Sequence, residues 1–463
     1  MTALACALLS AAGIYFAFGL GDQWWLAWFA LVPVLWLAFG ETRGWIAFAV
    51  SFAANGIGAT HAFAAYGGIF PLPVMALILF GPALLFAASV MGGRFAARRI
   101  GPVAGMVCFA ALWTTCDYAA SAGSNGAVMS PAYSQIPAPL FIQSASLFGL
   151  WAISFTIAFV AAGLATSIRT RRALPAALAL TLFVLNAGYG VWRIENAAHA
   201  PVTRVGLAAD DSMIRDSLEA SGASADRIVN NYAKAAMLLS AGGAKLIVMP
   251  EKLALLKPAW RETVANRLSE VSRVTGATIV IGFDERNGER KNEALIFTPD
   301  RVAPAVYLKR HFVQVLEDGY VRGPGGFVLP DRTGVAICKD MDYPAMLRSD
   351  VRAFHPTLLA VPAWDFGADG LAHAEPAIMR GVENGFGLAR ASRDGLLTLT
   401  DATGRMIATK ATSFAGMVTV IGDLPRGPGA TLYNRIGDVF AWLCIAASIA
   451  LLAMSLTKRK RAA

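Results

Sequence analysis

The chain has 463 residues, 56% hydrophobic and only 15% charged, where soluble domains run at about 45–50% apolar and about 25% charged. That imbalance excludes an ordinary soluble protein of this length. The net charge of +9 does not indicate a nucleic-acid binder, because the basic residues gather in short clusters beside apolar runs instead of interleaving with aromatics on a soluble face.

In chain order, residues 1–195 are almost uncharged and read as a membrane region of about seven spans. The spans are expected near 3–20, 25–40, 44–63, 70–92, 101–119, 146–166 and 174–192, since a helix needs about 20 apolar residues to cross the hydrocarbon core. Residues 1–20 carry no basic n-region and no small-residue cleavage site, so they read as a span and not as a cleaved signal. Trp24, Trp25 and Trp28 fit an interfacial aromatic belt. The segment 120–145 is rich in Ser, Pro and Gly and holds no Asp, Glu, Lys or Arg; it is long for a connector.

Basic residues set the expected orientation. With the first residue on the cytoplasmic side, Arg43, Arg94, Arg98, Arg99, Arg169, Arg171, Arg172 and the tail Lys458-Arg459-Lys460-Arg461 all fall inside. The loops near 21–24, 64–69 and 120–145 carry no Lys or Arg. Such one-sidedness is the positive-inside signal. It predicts a multi-pass membrane protein whose 193–436 segment lies outside the cytoplasm, facing the periplasm or the cell exterior.

Residues 200–430 have the composition of a soluble domain. Short β-branched runs at 202–207, 245–249, 278–283, 294–298, 335–338, 357–361, 388–391, 396–400 and 417–421 predict strands. Helices are expected at 224–241, 258–275, 343–352 and 370–384. In 258–275, Val264, Leu268, Val271 and Val274 recur at helical spacing. Strands alternating with helices, with β-rich hairpins late in the chain, predict an α/β sandwich of sheets flanked by helices. An apolar run at 436–457 reads as a final transmembrane helix, and 458–463 as a basic cytoplasmic tail.

Of the cysteines Cys6, Cys108, Cys116, Cys338 and Cys444, only Cys338 lies in this soluble part. It therefore has no internal disulfide there, and a lone thiol asks for a reason. Cys338 ends Gly-Val-Ala-Ile-Cys, Glu251 closes Lys-Leu-Ile-Val-Met-Pro-Glu, and Lys309 follows the extended Val-Tyr-Leu. Strand ends are where layered α/β proteins place their sites. A thiol nucleophile needs a base and a donor for a developing oxyanion; Glu and Lys supply those two functions.

These segments resemble the nitrilase (carbon–nitrogen hydrolase) superfamily. The resemblance rests on Val-Met-Pro-Glu251, Tyr-Leu-Lys309-Arg-His, Gly-Val-Ala-Ile-Cys338 and Arg380-Gly-Val-Glu383-Asn384-Gly385, followed by Asp394-Gly395 and Thr400-Asp401-Ala-Thr-Gly404-Arg405. A domain of this kind between several spans and one last span is similar to the apolipoprotein N-acyltransferase family. Lys309-Arg-His311, Glu317, Trp364 with Phe366-Gly367, His373 and Thr431-Leu-Tyr433-Asn-Arg435-Ile-Gly437-Asp carry that likeness.

The resemblance implies a multi-span α-helical membrane region plus an α/β nitrilase-like domain with an αββα sandwich. It also implies a catalytic set of Glu251, Lys309 and Cys338, with Glu317, Trp364, His373 and Glu383 supporting it or binding substrate. The implied partners are a phospholipid acyl donor, a diacylglyceryl-apolipoprotein acceptor and membrane lipids, with no nucleic acid. An alternative of the same chemistry is a membrane-bound acyltransferase or amidase acting on a different amine or amide.

The chain departs from the family where Lys339-Asp340 replaces the usual Tyr-Glu, and where Pro362-Ala363 replaces Asn-Asp. The interval of 29 residues from Lys309 to Cys338 is short, which implies a trimmed substrate-covering arm. Asp117 stands near the place of acidic and basic residues expected after Trp113. No cofactor is expected: His311, His355 and His373 are too scattered for a metal set. Gly323-Pro-Gly-Gly326 reads as a turn, not a phosphate loop.

Overall fold

The structure, a computed structural model, describes residues 2–197, 200–367 and 369–458; Arg459, Lys460 and Arg461 of the basic tail lie outside the described residues. The chain divides into two compact units, Met1–Asn196 with Ile436–Ala463, and Ala197–Arg435.

In the first unit, six helices among the described residues are long and apolar enough to cross a membrane: Gly44–Tyr66, Leu72–Arg99, Pro102–Ser121, Leu150–Thr170, Ala173–Glu195 and Val439–Thr457. Five of these precede the soluble unit, fewer than the seven spans the sequence suggested. The expected spans at 3–20 and 25–40 are shorter. Ala3–Ala17 has 15 residues, about 22 Å of helix against a hydrocarbon core of about 30 Å. The next stretch breaks into a 3-10 turn, Trp24–Trp28, and a seven-residue helix, Val32–Ala38.

The span expected at 146 begins at Leu150 because Gly149, at φ +72°, ends the preceding short helix. That helix, Leu150–Thr170, is the most buried of the six and so forms the centre of the bundle. Its Ser154 donates to Asp117 Oδ2 at 2.6 Å, and Ser130 donates to the same oxygen at 2.7 Å. A carboxylate in an apolar bundle needs such donors.

Among its described residues the second unit holds thirteen strands: β1 (Val202–Ala209), β2 (Leu246–Val248), β3 (Leu255–Leu256), β4 (Thr278–Asn287), β5 (Glu289–Phe297), β6 (Ala305–Leu308), β7 (Phe327–Val328), β8 (Thr333–Val335), β9 (Leu358–Trp364), β10 (Gly387–Arg393), β11 (Leu396–Thr400), β12 (Met406–Ala411) and β13 (Val418–Pro425). One sheet runs β13-β1-β2-β4-β5-β6, with β3 beside β4; the other runs β12-β11-β10-β9-β8-β7. The middle strands of each, β1-β2-β4 and β8-β9-β10, are parallel.

Strand alternation sorts the side chains into two cores. Val205, Leu207, Val248 and Val280 meet Val335, Leu358, Ala360, Ala389 and Leu399 between the sheets. Ile247, Ile279 and Ile281 point the other way, onto Ile228, Tyr232, Leu239, Val264 and Leu268 of helices Gly222–Ala241 and Pro258–Thr275. Burial on both faces explains the near-continuous apolar runs of these strands. Helices Pro344–Phe354 and Glu375–Asn384 cover the second sheet, giving an αββα sandwich.

Two boundaries differ from expectation in ways that matter. The strand expected at 335–338 is 333–335, and Cys338 begins a separate 3-10 turn, Cys338–Asp342. The helix expected from 370 starts at Glu375, which leaves His373 in the loop before it. The sequence pattern also missed β3, β7 and β12; β12 is an exposed edge strand with little apolar periodicity.

Candidate active site

The C-terminal ends of β2, β8 and β9 converge, and a close backbone approach fixes them. Glu251 N–H donates to the Ala363 carbonyl at 3.2 Å, stitching the chain after β2 to the end of β9 in the other sheet. On its other side the backbone of Glu251 presses against Gly282, where a Cβ would sit 2.6 Å from the Glu251 Cα. Only glycine leaves that room.

Lys309 follows β6, and its N–H donates to the Asn292 carbonyl at 2.9 Å. Its side chain is 1% exposed. The ammonium donates to Glu251 Oε1 at 2.7 Å and to Glu317 Oε2 at 2.8 Å. Glu317 also pairs with Lys252 at 2.6 Å and accepts from the Val313 N–H at 2.9 Å. Two carboxylates and two ammonium groups thus neutralise one another in a buried cluster, the condition under which buried charge is tolerated.

Cys338 has φ +41°, a conformation uncommon for a residue with a side chain. Asp340 holds that turn in place. Its Oδ2 accepts from the Ile337 N–H and the Tyr307 hydroxyl, and its Oδ1 from the N–H groups of Arg310 and His311. One carboxylate therefore ties the Cys338 turn to the segment that begins at Lys309. The thiol faces the Trp364 carbonyl at 3.7 Å and lies within the electrostatic reach of both Glu251 and Lys309.

The charges follow from these surroundings. Burial pushes the Cys338 thiol well above the ordinary cysteine range and Glu251 adds to the rise, outweighing the opposing pull of Lys309 and Arg390. The resting side chain is therefore a neutral thiol that needs a base. Burial by itself would lower Lys309, but the carboxylates of Glu251 and Glu317 dominate and hold it well above the usual lysine value. That favours the ammonium form, which donates to both carboxylates. Burial would raise Glu317, yet Lys309 and Lys252 bring it down to about 2, so it stays a carboxylate.

The other expected residues fall around this centre. Trp364 ends β9, with the Arg393 guanidinium 3.6 Å over its ring. His373 pairs with Asp369 and sits edge-on to Phe366 at 5.2 Å. Glu383 is fully buried in the Glu375–Asn384 helix and pairs with Arg380 at 3.1 Å. Lys339 pairs with Asp342 at 3.1 Å, and Arg310 is turned away from Lys309 onto Asp350 and Tyr307.

Sequence reasoning missed Asn292, Lys252 and the Arg390–Asp365 pair. Asn292 is fully buried and donates to both Glu251 and Glu317. Its one signal in the sequence is a polar residue at the head of the apolar run 294–297. Arg390 forms a buried ion pair with Asp365 beneath the thiol, with one arm at 3.0 Å. Among the described residues no group of three or more His, Cys, Asp or Glu is placed to hold a metal ion.

A neutral thiol, a carboxylate and a fixed ammonium form the set needed for nucleophilic acyl transfer. Residues 10–163, in the other unit, match the family model of the apolipoprotein N-acyltransferase N-terminal domain. The chain resembles the apolipoprotein N-acyltransferases along most of its length. It is 25% identical over 394 residues to that of Geobacter metallireducens, covering 76% of this chain and 75% of the relative. Against the Azotobacter vinelandii enzyme it is 26% identical over 430 residues, 85% of this chain and 80% of the other. The Shewanella oneidensis enzyme is 25% identical over 443 residues, with 85% and 83% covered. Among solved structures, an amidase of the nitrilase superfamily from Nesterenkonia AN1 matches 49% of this chain and 94% of its own, at 18% identity and TM-score 0.40.

Proposed function

We propose that this protein moves an acyl chain from a phospholipid to the amine of the N-terminal diacylglyceryl-cysteine of apolipoproteins, through a thioester on Cys338. The observation that carries the reading is Lys309, a buried ammonium held between Glu251 and Glu317 beside a neutral thiol, in a chain whose bacterial relatives are named for this transfer. In the first half, Glu251 takes the thiol proton and the sulfur attacks the ester carbonyl carbon. Lys309 holds the oxyanion, and the ester C–O bond breaks. Glu251 returns the proton to the departing lysophospholipid oxygen. In the second half, the acceptor amine attacks the thioester, Glu251 takes its surplus proton, and the sulfur leaves and is reprotonated. Glu317 keeps Lys309 aimed throughout, and a thioester suits the sequence because it splits one hard transfer into two easier ones.

Both substrates are lipids, which accounts for a catalytic unit carried on membrane-spanning helices. We infer a periplasmic position for the Ala197–Arg435 unit and cytoplasmic ends for the chain, from the one-sided basic residues. A cysteine introduced at Arg290 should react with an impermeant maleimide in intact cells; reaction only after lysis contradicts the orientation. The activity is tested by complementing a strain depleted of its own N-acyltransferase and weighing the N-terminal peptide of a lipoprotein. A third acyl chain supports the reading. An unmodified amine, together with acylated Cys338, would instead favour the alternative with a different amine acceptor, to which Lys339-Asp340 and the short interval before Cys338 also point.

A further inference from the structure

One end of the helical bundle gathers cations that the acyl-transfer chemistry does not use. The turn at residues 38–42 is clasped by Arg94, which donates to the carbonyls of Ala38, Gly40 and Thr42. Arg98 adds a bond to the Gly40 carbonyl at 2.9 Å. From a third helix, Arg169 packs over Gly40 and lies 5.3 Å from the Trp36 ring centroid. Arg99 donates to the Lys458 carbonyl at 2.9 Å, bringing the last helix to the same place. Arg43 follows the clasped turn in the chain, and Arg171 and Arg172 follow Arg169; all three are exposed.

The only acid in these four segments is Glu41, whose side chain is 93% exposed and 3.8 Å from Arg98. One exposed carboxylate leaves these segments with a net positive charge, and the clasped turn ties residues 38–42 to the Leu72–Arg99 helix. Beside them on the same helices, Trp45, Ile168, Leu174 and Leu456 leave large apolar surfaces open. An excess of guanidinium groups next along the chain to exposed aliphatic and indole side chains fits a ligand with an anionic head and a hydrocarbon body.

We propose that this end of the bundle is a binding site for the phosphate-bearing headgroup of an anionic phospholipid. Arg98, Arg99 and Arg169 form its centre, and Arg43, Arg171 and Arg172 its rim. A lipid is favoured over free phosphate because Trp45, Ile168, Leu174 and Leu456, close to these arginines in the chain, are exposed apolar side chains.

The test reconstitutes the full chain in nanodiscs of equal phosphatidylcholine and phosphatidylglycerol and counts retained lipids by native mass spectrometry. The wild-type protein should retain phosphatidylglycerol preferentially, by roughly fivefold for each cation engaged, and less so at high salt. The triple variant Arg43→Gln, Arg171→Gln, Arg172→Gln leaves the clasp on residues 38–42 untouched. It should lose on the order of a hundredfold of that preference, about fivefold for each of the three cations removed, while the corresponding triple change to Lys should keep it. Retention at the bulk lipid ratio by the wild-type protein overturns the proposal, as does full preference in the glutamine variant. Sodium phosphate should displace the lipid no better than chloride at equal ionic strength; complete displacement would make this a free-phosphate site and overturn the lipid assignment.

Discussion

Two buried cations, one in each unit, show how differently this chain handles charge. Arg94 in the bundle is met by backbone carbonyls, fixed dipoles that carry no net charge. Lys309 in the sandwich is met by two carboxylates, in a cluster where Glu317 has a second ammonium partner in Lys252. The first arrangement consumes the cation in holding a turn. The second keeps a full ammonium beside a thiol and supplies the carboxylate that can take the thiol's proton. Burial alone thus does not mark a functional charge; the kind of partner does.

The sharpest way to break that comparison is at the thiol. Cys338→Ser should abolish transfer, because a serine hydroxyl is far less acidic and less nucleophilic than a thiol in the same place; product lipid measured by mass spectrometry should fall to background. Next, Lys309→Ala should slow acylation of Cys338 in a single turnover by about 10²–10³-fold, the usual cost of one oxyanion donor. Lys309→Arg should restore little, since a planar fork does not fit between Glu251 and Glu317 as a compact ammonium does.

Arg94→Met should leave single-turnover chemistry near wild type but lower the stability of the detergent-solubilised protein by about 2–3 kcal/mol, because charged hydrogen bonds to several carbonyls are lost. Thermal unfolding reads that change. The smallest effect is expected at Arg310 and Lys339, whose side chains already pair with Asp350 and Asp342. Alanine at either should cost less than about tenfold in rate, about 1.4 kcal/mol of barrier. A loss at Lys339 as large as at Lys309 would move the oxyanion role to Lys339.

Much of the sandwich was legible because its middle strands are buried on both faces and its helices are amphipathic; Pro258–Thr275 was read to the residue. The trio was legible because each member closes an apolar run. The positive φ of Cys338 left no mark, since nothing in Gly-Val-Ala-Ile-Cys demands it. Asn292 and Lys252 reach the site through strand register and a left-handed backbone at Lys252, neither of which has a local signature. The role of Asp340 was hidden for the same reason: its four donors come from two separate segments. The first two expected spans correspond to the shorter helices Ala3–Ala17 and Val32–Ala38, because apolar composition does not show where a helix stops.

The central claim is that Cys338 carries the acyl group, and intact-mass spectrometry tests it most directly. The protein is incubated with a phospholipid of one defined acyl chain and no amine acceptor. The mass should rise by one acyl group, the adduct should map to Cys338 and be released by neutral hydroxylamine, and Cys338→Ser should remain unmodified. An unmodified wild-type protein under conditions where it transfers acyl chains, or an adduct that persists in Cys338→Ser, would contradict it.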